Sequence, residues 1–180
     1  ELSCYGDPVI KTPNIDRLYD DAVRFADFHV GTTCAPTRSG LLTGHHCNST
    51  GVWHTIGGRS LLREDEWTLA DALKEAGYRT GHFGKWHLGE NAEHAPNQHG
   101  YQVTEQQLGP KFQESRADRP RGPKSIDFLT DAALWFIDEH QDRPFFLTVS
   151  HYAVHIPLEG NPVTTQKYRD KQKPAAGVNH

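Results

Sequence analysis

One cysteine in the chain stands where a helix is expected to begin. Cys34 is followed by Pro36, which the first turn of a helix tolerates, and by Gly44, which is typical of a helix end. Free N–H groups and the helix dipole favour an anion at such a position, and Arg38 adds a fixed positive charge. Two interpretations stay open here: an inert, buried cysteine, or a nucleophile that faces a bound anion.

A second set of reactive side chains follows a predicted strand at residues 78–83. Lys85 and His87 are two residues apart, so they share one face if the chain stays extended. Lys85 could offset charge on an oxyanion, and His87 could transfer protons near neutral pH. The alternative is a strand end that carries two solvated polar residues.

Two histidines follow another predicted strand, the apolar run at residues 145–149. His151 and His155 have the spacing of a zinc pair on a helix, but Pro157 and the preceding strand argue against a helix. A loop with two histidines is the simpler interpretation of this segment.

Alternating helices and strands must position these side chains. The predicted strands lie at residues 23–30, 78–83 and 145–149, and the last is apolar enough to be buried on both faces. The predicted helices start at Thr12-Pro13, at the Cys34 segment, at the Thr68/Asp71 capping box and at Ser125. This alternation predicts an α/β domain with helices on both faces of a largely parallel sheet. In such sheets the functional residues lie at the carboxyl ends of the strands.

Apolar stripes on two of these helices are expected to face the core. On the helix from Thr68, which Gly77 should end, they are Leu69, Ala72, Leu73 and Ala76. On the helix from Ser125, they are Ile126, Leu129, Ala133, Phe136 and Ile137. Residues 90–124 are polar and predict a long surface excursion, and the chain from Leu158 onward offers no core.

Composition excludes several classes of function. The net charge of -4 gives no basic surface for nucleic acid, and no apolar stretch reaches the roughly 20 residues that span a bilayer. The 180 residues include no Met and start at Glu1 without a signal peptide, so we expect a fragment or a processed product. Cys4, Cys34 and Cys47 allow one disulfide or none.

The motifs together resemble the signatures of the formylglycine-dependent sulfatases, the arylsulfatase type of the alkaline-phosphatase-like superfamily. Cys34-x-Pro36-x-Arg38 with the tail Leu41-Leu42-Thr43-Gly44 matches the first signature, although Thr37 stands where Ser is commoner. Gly84-Lys85-Trp86-His87 matches the end of the second. His155 matches a histidine before x-Pro, and His151 is a weaker candidate.

The resemblance implies an alkaline-phosphatase-like fold and a sulfuric ester hydrolase. Cys34 would be oxidised to formylglycine by a sulfatase-maturing enzyme, and one hydroxyl of its hydrate would attack the sulfur of a sulfate-ester substrate. Arg38 would polarise that group, Lys85 would contact it and the sulfate, His87 would act as base, and His155 would assist the leaving oxygen. Residue 34 would also ligate a divalent cation, usually calcium.

The resemblance further implies that residues 1–180 form a partial catalytic domain, without its first strand and its C-terminal part. The acidic calcium ligands of the family have no match in this sequence, so we expect these 180 residues alone to be inactive. An extracytoplasmic location, periplasmic, secreted or lysosomal, is expected. The alternatives are a phosphonate or phosphate monoester hydrolase of the same superfamily and a non-catalytic binder of sulfated glycans.

Overall fold

The computed structural model describes residues 2–56, 60–89, 91–119 and 121–171. The chain divides into two compact units, one of residues 1–29 with 160–180 and the other of residues 30–159. Every residue proposed for the site belongs to the second unit.

A parallel pair of strands lies at the centre of the second unit. Strand β1 spans Arg79–Gly84 and strand β2 spans Phe145–Ser150, in a register that pairs Arg79 with Phe145 and Gly84 with Ser150. Both strands were predicted to within one residue. The expectation that the second would be buried on both faces is wrong, because β2 is only half-buried and Val149 is 37% exposed.

Six α-helices occur in the described part of the chain. They are α1 (Pro13–Asp21), α2 (Cys34–Thr43), α3 (Leu69–Glu75), α4 (Pro110–Ser115), α5 (Ile126–His140) and α6 (Pro162–Arg169). None of the helices in these described ranges is both long enough and apolar enough to cross a membrane.

Helices cover both faces of the sheet. Successive side chains of a strand point to opposite faces, so each strand contributes to the packing on both. One face meets an apolar cluster to which α2 contributes Ala35 and Leu42 and α3 contributes Ala70. The other face, which includes Phe83, meets a cluster built largely by α5. The predicted α/β class with a parallel sheet is therefore confirmed.

The buried side of α5 differs from the prediction. The residues that it buries are Phe128, Leu129, Ala132 and Phe136. Ile126 and Ile137, which were expected inside, are each 37% exposed, and Ala133 is only half-buried. The helix is turned so that the Phe136 ring packs on Gly81, where a Cβ atom would lie 2.7 Å from the ring.

Helix α3 begins and ends as predicted but buries a different side chain. Thr68 and Asp71 form the capping box, and Gly77 follows the helix with a φ of +86°. The expected stripe is wrong, because Ala70 is the buried residue and Leu69 is 45% exposed. The side of α3 that faces the core carries Ala70, which packs in one cluster with Ala35 and Leu42 of α2.

The strand predicted at residues 23–30 is wrong. Residues 22–33 form neither helix nor strand, and Val23, Phe25 and Phe28 are 88%, 80% and 66% exposed. An alternating pattern becomes a strand only when a neighbour accepts its backbone hydrogen bonds, and no described strand pairs with this segment.

The long polar segment is less exposed than its sequence predicts. Residues 90–124 were expected to be a surface excursion, yet His99, Tyr101, Val103 and Phe112 are buried. Val103 pairs with the edge of β1, since its N–H donates to Thr80 O and its carbonyl accepts from His82 N. Few apolar residues mark this segment, but Tyr101, Val103, Leu108 and Phe112 are all buried.

The chain after Leu158 also contains an element that the sequence analysis missed. Asn161 caps α6 by accepting from Val163 N and Thr164 N, and Pro162 occupies the first helical position. The helix buries no residue, which agrees with the expectation that this part adds no core.

Candidate functional site

Helix α2 places Cys34 at its first position, as the sequence predicts. Thr33 is extended, Thr37 N donates to Thr33 O at 3.1 Å, and Gly44 ends the helix with a φ of +71°. Ala35 and Pro36 are buried, whereas Cys34 is half-buried and accessible. The sealed, inert cysteine considered above is therefore not what the structure shows.

The Cys34 side chain meets His87. Its Sγ lies 3.1 Å from His87 Nδ1, and the other ring nitrogen, Nε2, lies 3.2 Å from Thr55 O. A carbonyl oxygen only accepts, so neutral His87 carries its proton on Nε2 and presents Nδ1 as the acceptor. The ring is thus oriented to take a proton from the side chain of residue 34.

A sharp turn after β1 brings His87 to this position. Gly84 has a φ of +98°, and a Cβ atom there would lie 2.2 Å from Ser150 O. His87 itself has a φ of +61°, in the left-handed region. The chain is therefore not extended through this segment, and a shared strand face is not what relates Lys85 to His87.

Arg38 connects α2 to the ends of both strands. One terminal nitrogen of its guanidinium, Nη1, donates to Lys85 O at 2.7 Å and to Ser150 Oγ at 3.0 Å. Burial lowers the pKa of Arg38, while charge on Cys34 and on Tyr152 acts in the opposite direction. The group stays cationic at neutral pH, because an Arg pKa starts so far above 7.

Backbone contacts hold Lys85 beside Arg38. Lys85 N donates to Ser150 O at 2.8 Å, and its own carbonyl accepts from Arg38. Its side chain is half-buried. Ser150, which orients both residues, was missed because a lone Ser at a strand end carries no sequence signal.

His155 is hydrogen-bonded within its own loop. It follows β2, is exposed, and its Nδ1 lies 2.8 Å from Ile156 O. His151 is also exposed. The structure thus brings together Cys34, Arg38, His87 and the Lys85 backbone, while the His155 ring has its hydrogen bond within its own loop.

A buried histidine lies under the site. His82 is 3% exposed, and its ring packs edge-on against Trp86 and Tyr101. Burial, and to a smaller extent the charge of Arg38, lower the pKa of His82 to about 4. His82 is therefore neutral at pH 7, so it adds no second positive charge beside Arg38.

The described residues do not make a metal centre by themselves. Within these ranges, no group of three or more His, Cys, Asp or Glu side chains could hold a metal ion. Cys34 alone does not fit calcium, which takes six to eight oxygen ligands. Cys4, Cys34 and Cys47 are each free in the structure.

The chain is similar to known proteins along almost its whole length. The sequence model of the family described as Sulfatase matches residues 1–179. Human arylsulfatase D is 34% identical over 151 residues, which cover 75% of this chain and 25% of that protein. An arylsulfatase of Hemicentrotus pulcherrimus is 31% identical and is matched over 88% of this chain and 35% of its own length.

Solved structures agree with the sequence relatives. Ps i-CgsB in complex with k-i-k-neocarrahexaose superposes with a TM-score of 0.75 at 25% identity, over 96% of this chain and 46% of that one. BT4656 in complex with its substrate D-glucosamine-2-N,6-O-disulfate gives a TM-score of 0.73 at 24% identity, over 96% of this chain and 35% of that one. The chain spans about a quarter of the length of human arylsulfatase D and about a third of the length of the Hemicentrotus pulcherrimus arylsulfatase.

Proposed function

Since this chain belongs to the sulfatase family, we propose that it carries the nucleophile of a sulfuric ester hydrolase, and that this nucleophile is Cys34 after conversion to formylglycine. The observation that supports the proposal best is the contact between Cys34 Sγ and His87 Nδ1 at 3.1 Å, at the first turn of α2. The Sγ atom stands where the oxygens of the hydrated aldehyde would lie.

Hydrated formylglycine would supply a geminal diol: one hydroxyl would attack sulfur and displace the alcohol of the ester, and loss of the proton of the other hydroxyl would expel sulfate and restore the aldehyde. The residues of this chain then have separate tasks. His87 Nδ1 accepts a proton from residue 34, because Nε2 is held by Thr55 O. Arg38 and the N-terminus of α2 stabilise negative charge on the sulfuryl oxygens, and Lys85 adds a second cation.

His155 assists the leaving oxygen in this proposal. Its ring is exposed in the loop that follows β2, the strand whose last residue, Ser150, binds Arg38. Calcium, if the protein uses it, needs oxygen ligands beyond the described residues. We place the protein outside the cytoplasm and expect a sulfatase-maturing enzyme as its partner.

The test is to produce the complete protein, of which we propose residues 1–180 to be one part, with a sulfatase-maturing enzyme and to compare hydrolysis of an aryl sulfate with that of an aryl phosphate. Conversion of Cys34 should lower the mass of its peptide by about 18 Da, and sulfate hydrolysis should scale with the converted fraction. Faster hydrolysis of the phosphate would favour the phosphoesterase alternative. Sulfated-glycan binding without conversion and without turnover would favour a binding protein.

A further inference from the structure

A pocket opens beside the proposed catalytic residues, at the carboxyl end of β1. It has a volume of about 340 Å³, near the lower end of the range for small-molecule sites. Gly84 and Trp86, which flank Lys85, form one wall, and Thr104, Glu105, Gln106 and Arg121 form another.

Two charged side chains face each other in this pocket. Arg121 donates to Glu105 Oε2 at 2.9 Å, and Glu105 Oε1 accepts from Gly84 N at 3.3 Å. Each carboxylate oxygen keeps a further lone pair, and the guanidinium keeps further N–H donors. The side chains of Glu105 and Arg121 are 25% and 56% exposed, so these groups can reach a ligand.

The polar wall is held in place before any ligand arrives. Thr104 and Gln107 form a capping box, in which Thr104 N donates to Gln107 Oε1 at 2.9 Å. Thr104 is 7% exposed, and Arg121 lies over the Phe128 ring with 3.7 Å to its centroid. Such contacts reduce the side-chain entropy that binding would otherwise cost.

One residue relates this pocket to the proposed catalytic centre. Burial raises the pKa of Tyr152 and the charge of Glu105 raises it further, while the charges of Arg121 and Arg38 lower it, so Tyr152 is near all three groups. Gly84 makes a second connection, because it lines the pocket and precedes Lys85 in the chain.

We propose that this pocket binds a sugar ring of the substrate, with Glu105 accepting hydrogen bonds from its hydroxyls and Arg121 donating to its oxygens. This inference rests on the proposed function and narrows it to sulfate esters of saccharides. The Glu105–Arg121 pair is neutral overall, which suits an uncharged polyhydroxylated ring better than a second anionic group. A plain aryl ring would form no hydrogen bond with the remaining donors and acceptors of this pair.

The experiment compares two substrates, a sulfated disaccharide and 4-nitrophenyl sulfate, in the converted protein. We expect Glu105→Gln and Arg121→Gln each to lower the ratio of their kcat/KM values, saccharide over aryl, by about tenfold. Glu114→Gln is the matched control, because Glu114 is an exposed acid on α4 outside the pocket. It should leave the ratio as it is.

The outcomes separate this inference from the proposed function. An unchanged ratio in both pocket variants, or an equal loss on both substrates, would overturn the sugar pocket. Hydrolysis of 4-nitrophenyl sulfate without any hydrolysis of sulfated saccharides would overturn it while leaving the sulfatase proposal intact. If the converted protein hydrolysed neither substrate, the proposed function itself would fail.

Discussion

At the scale of single residues, His87 combines a reactive side chain with an unusual backbone conformation. Its φ of +61° lies in the left-handed region, where most side chains cost about 1–2 kcal/mol and Asn is tolerated best after Gly. Its ring bridges Cys34 and Thr55 O. The backbone and the ring can therefore be tested separately.

We expect His87→Asn to fold and to lose catalysis, because Asn adopts the left-handed conformation but offers no base of suitable pKa. The kcat for an aryl sulfate should fall by about 10²- to 10⁴-fold. His87→Val should lose the same activity and should also be less stable than His87→Asn by about 1–2 kcal/mol in urea unfolding. Near-normal turnover by His87→Asn would exclude His87 as the base.

At the scale of elements, the carboxyl ends of the two strands organise the site. Ser150 ends β2, and its carbonyl and hydroxyl bind Lys85 N and the Arg38 guanidinium respectively. Gly84 permits this contact, since any larger residue would collide with Ser150 O. The strand pairing is thus what sets the distance from α2 to the β1 turn.

Removal of the Ser150 hydroxyl should loosen Arg38 without removing it. We expect Ser150→Ala to reduce kcat/KM about three- to tenfold, the effect of one hydrogen bond to a charged group. Ser150→Thr, which keeps a hydroxyl, should restore most of the activity, and Ser115→Ala on α4 should have no effect. Equal activity in Ser150→Ala and the unaltered protein would mean that Arg38 is positioned by Lys85 O alone.

The buried histidine of β1 predicts a pH dependence of stability. The pKa of His82 is about 4 in the folded protein and about 6.5 when unfolded, so the unfolded chain binds more protons between these values. Stability should therefore fall as the pH decreases through this window, with His82 contributing about 2 kcal/mol between pH 7 and pH 5.

His82→Phe isolates that contribution. The difference in the free energy of unfolding between pH 7 and pH 5 should be smaller in the variant by about 2 kcal/mol, whatever its absolute stability. His151→Phe, at an exposed histidine, is the control and should not change that difference. An identical pH dependence in His82→Phe would show that folding does not lower the pKa of His82.

At the scale of the whole chain, elements with their own local signals could be predicted. The Thr68/Asp71 capping box, Gly77 and the apolar run of β2 identify their elements because caps, stops and hydrophobicity act within a few residues. The first turn of α2 was predictable from Pro36 and Gly44 for the same reason.

Features that depend on distant partners could not be predicted. The alternation at residues 23–30 predicts a strand, but no described strand pairs with it. Tyr101 and Val103 lie in a polar segment and are buried because this segment pairs with the edge of β1 through Val103. The site shows the same division, since Cys34, Arg38 and His87 stand in motifs, whereas Ser150 and Thr55 join them through the fold.

One measurement tests the role of residue 34 most directly. Cys34→Ser offers a hydroxyl that can take sulfate but cannot expel it, because a serine ester lacks the second diol hydroxyl. After incubation with an aryl sulfate, mass mapping should find the peptide with residue 34 heavier by about 80 Da, with one equivalent of phenol released and no further turnover. Cys47→Ser, which keeps Cys34, should turn over repeatedly and should retain no sulfate on residue 34. Sustained turnover by Cys34→Ser, or sulfate bound at another residue, would contradict the account.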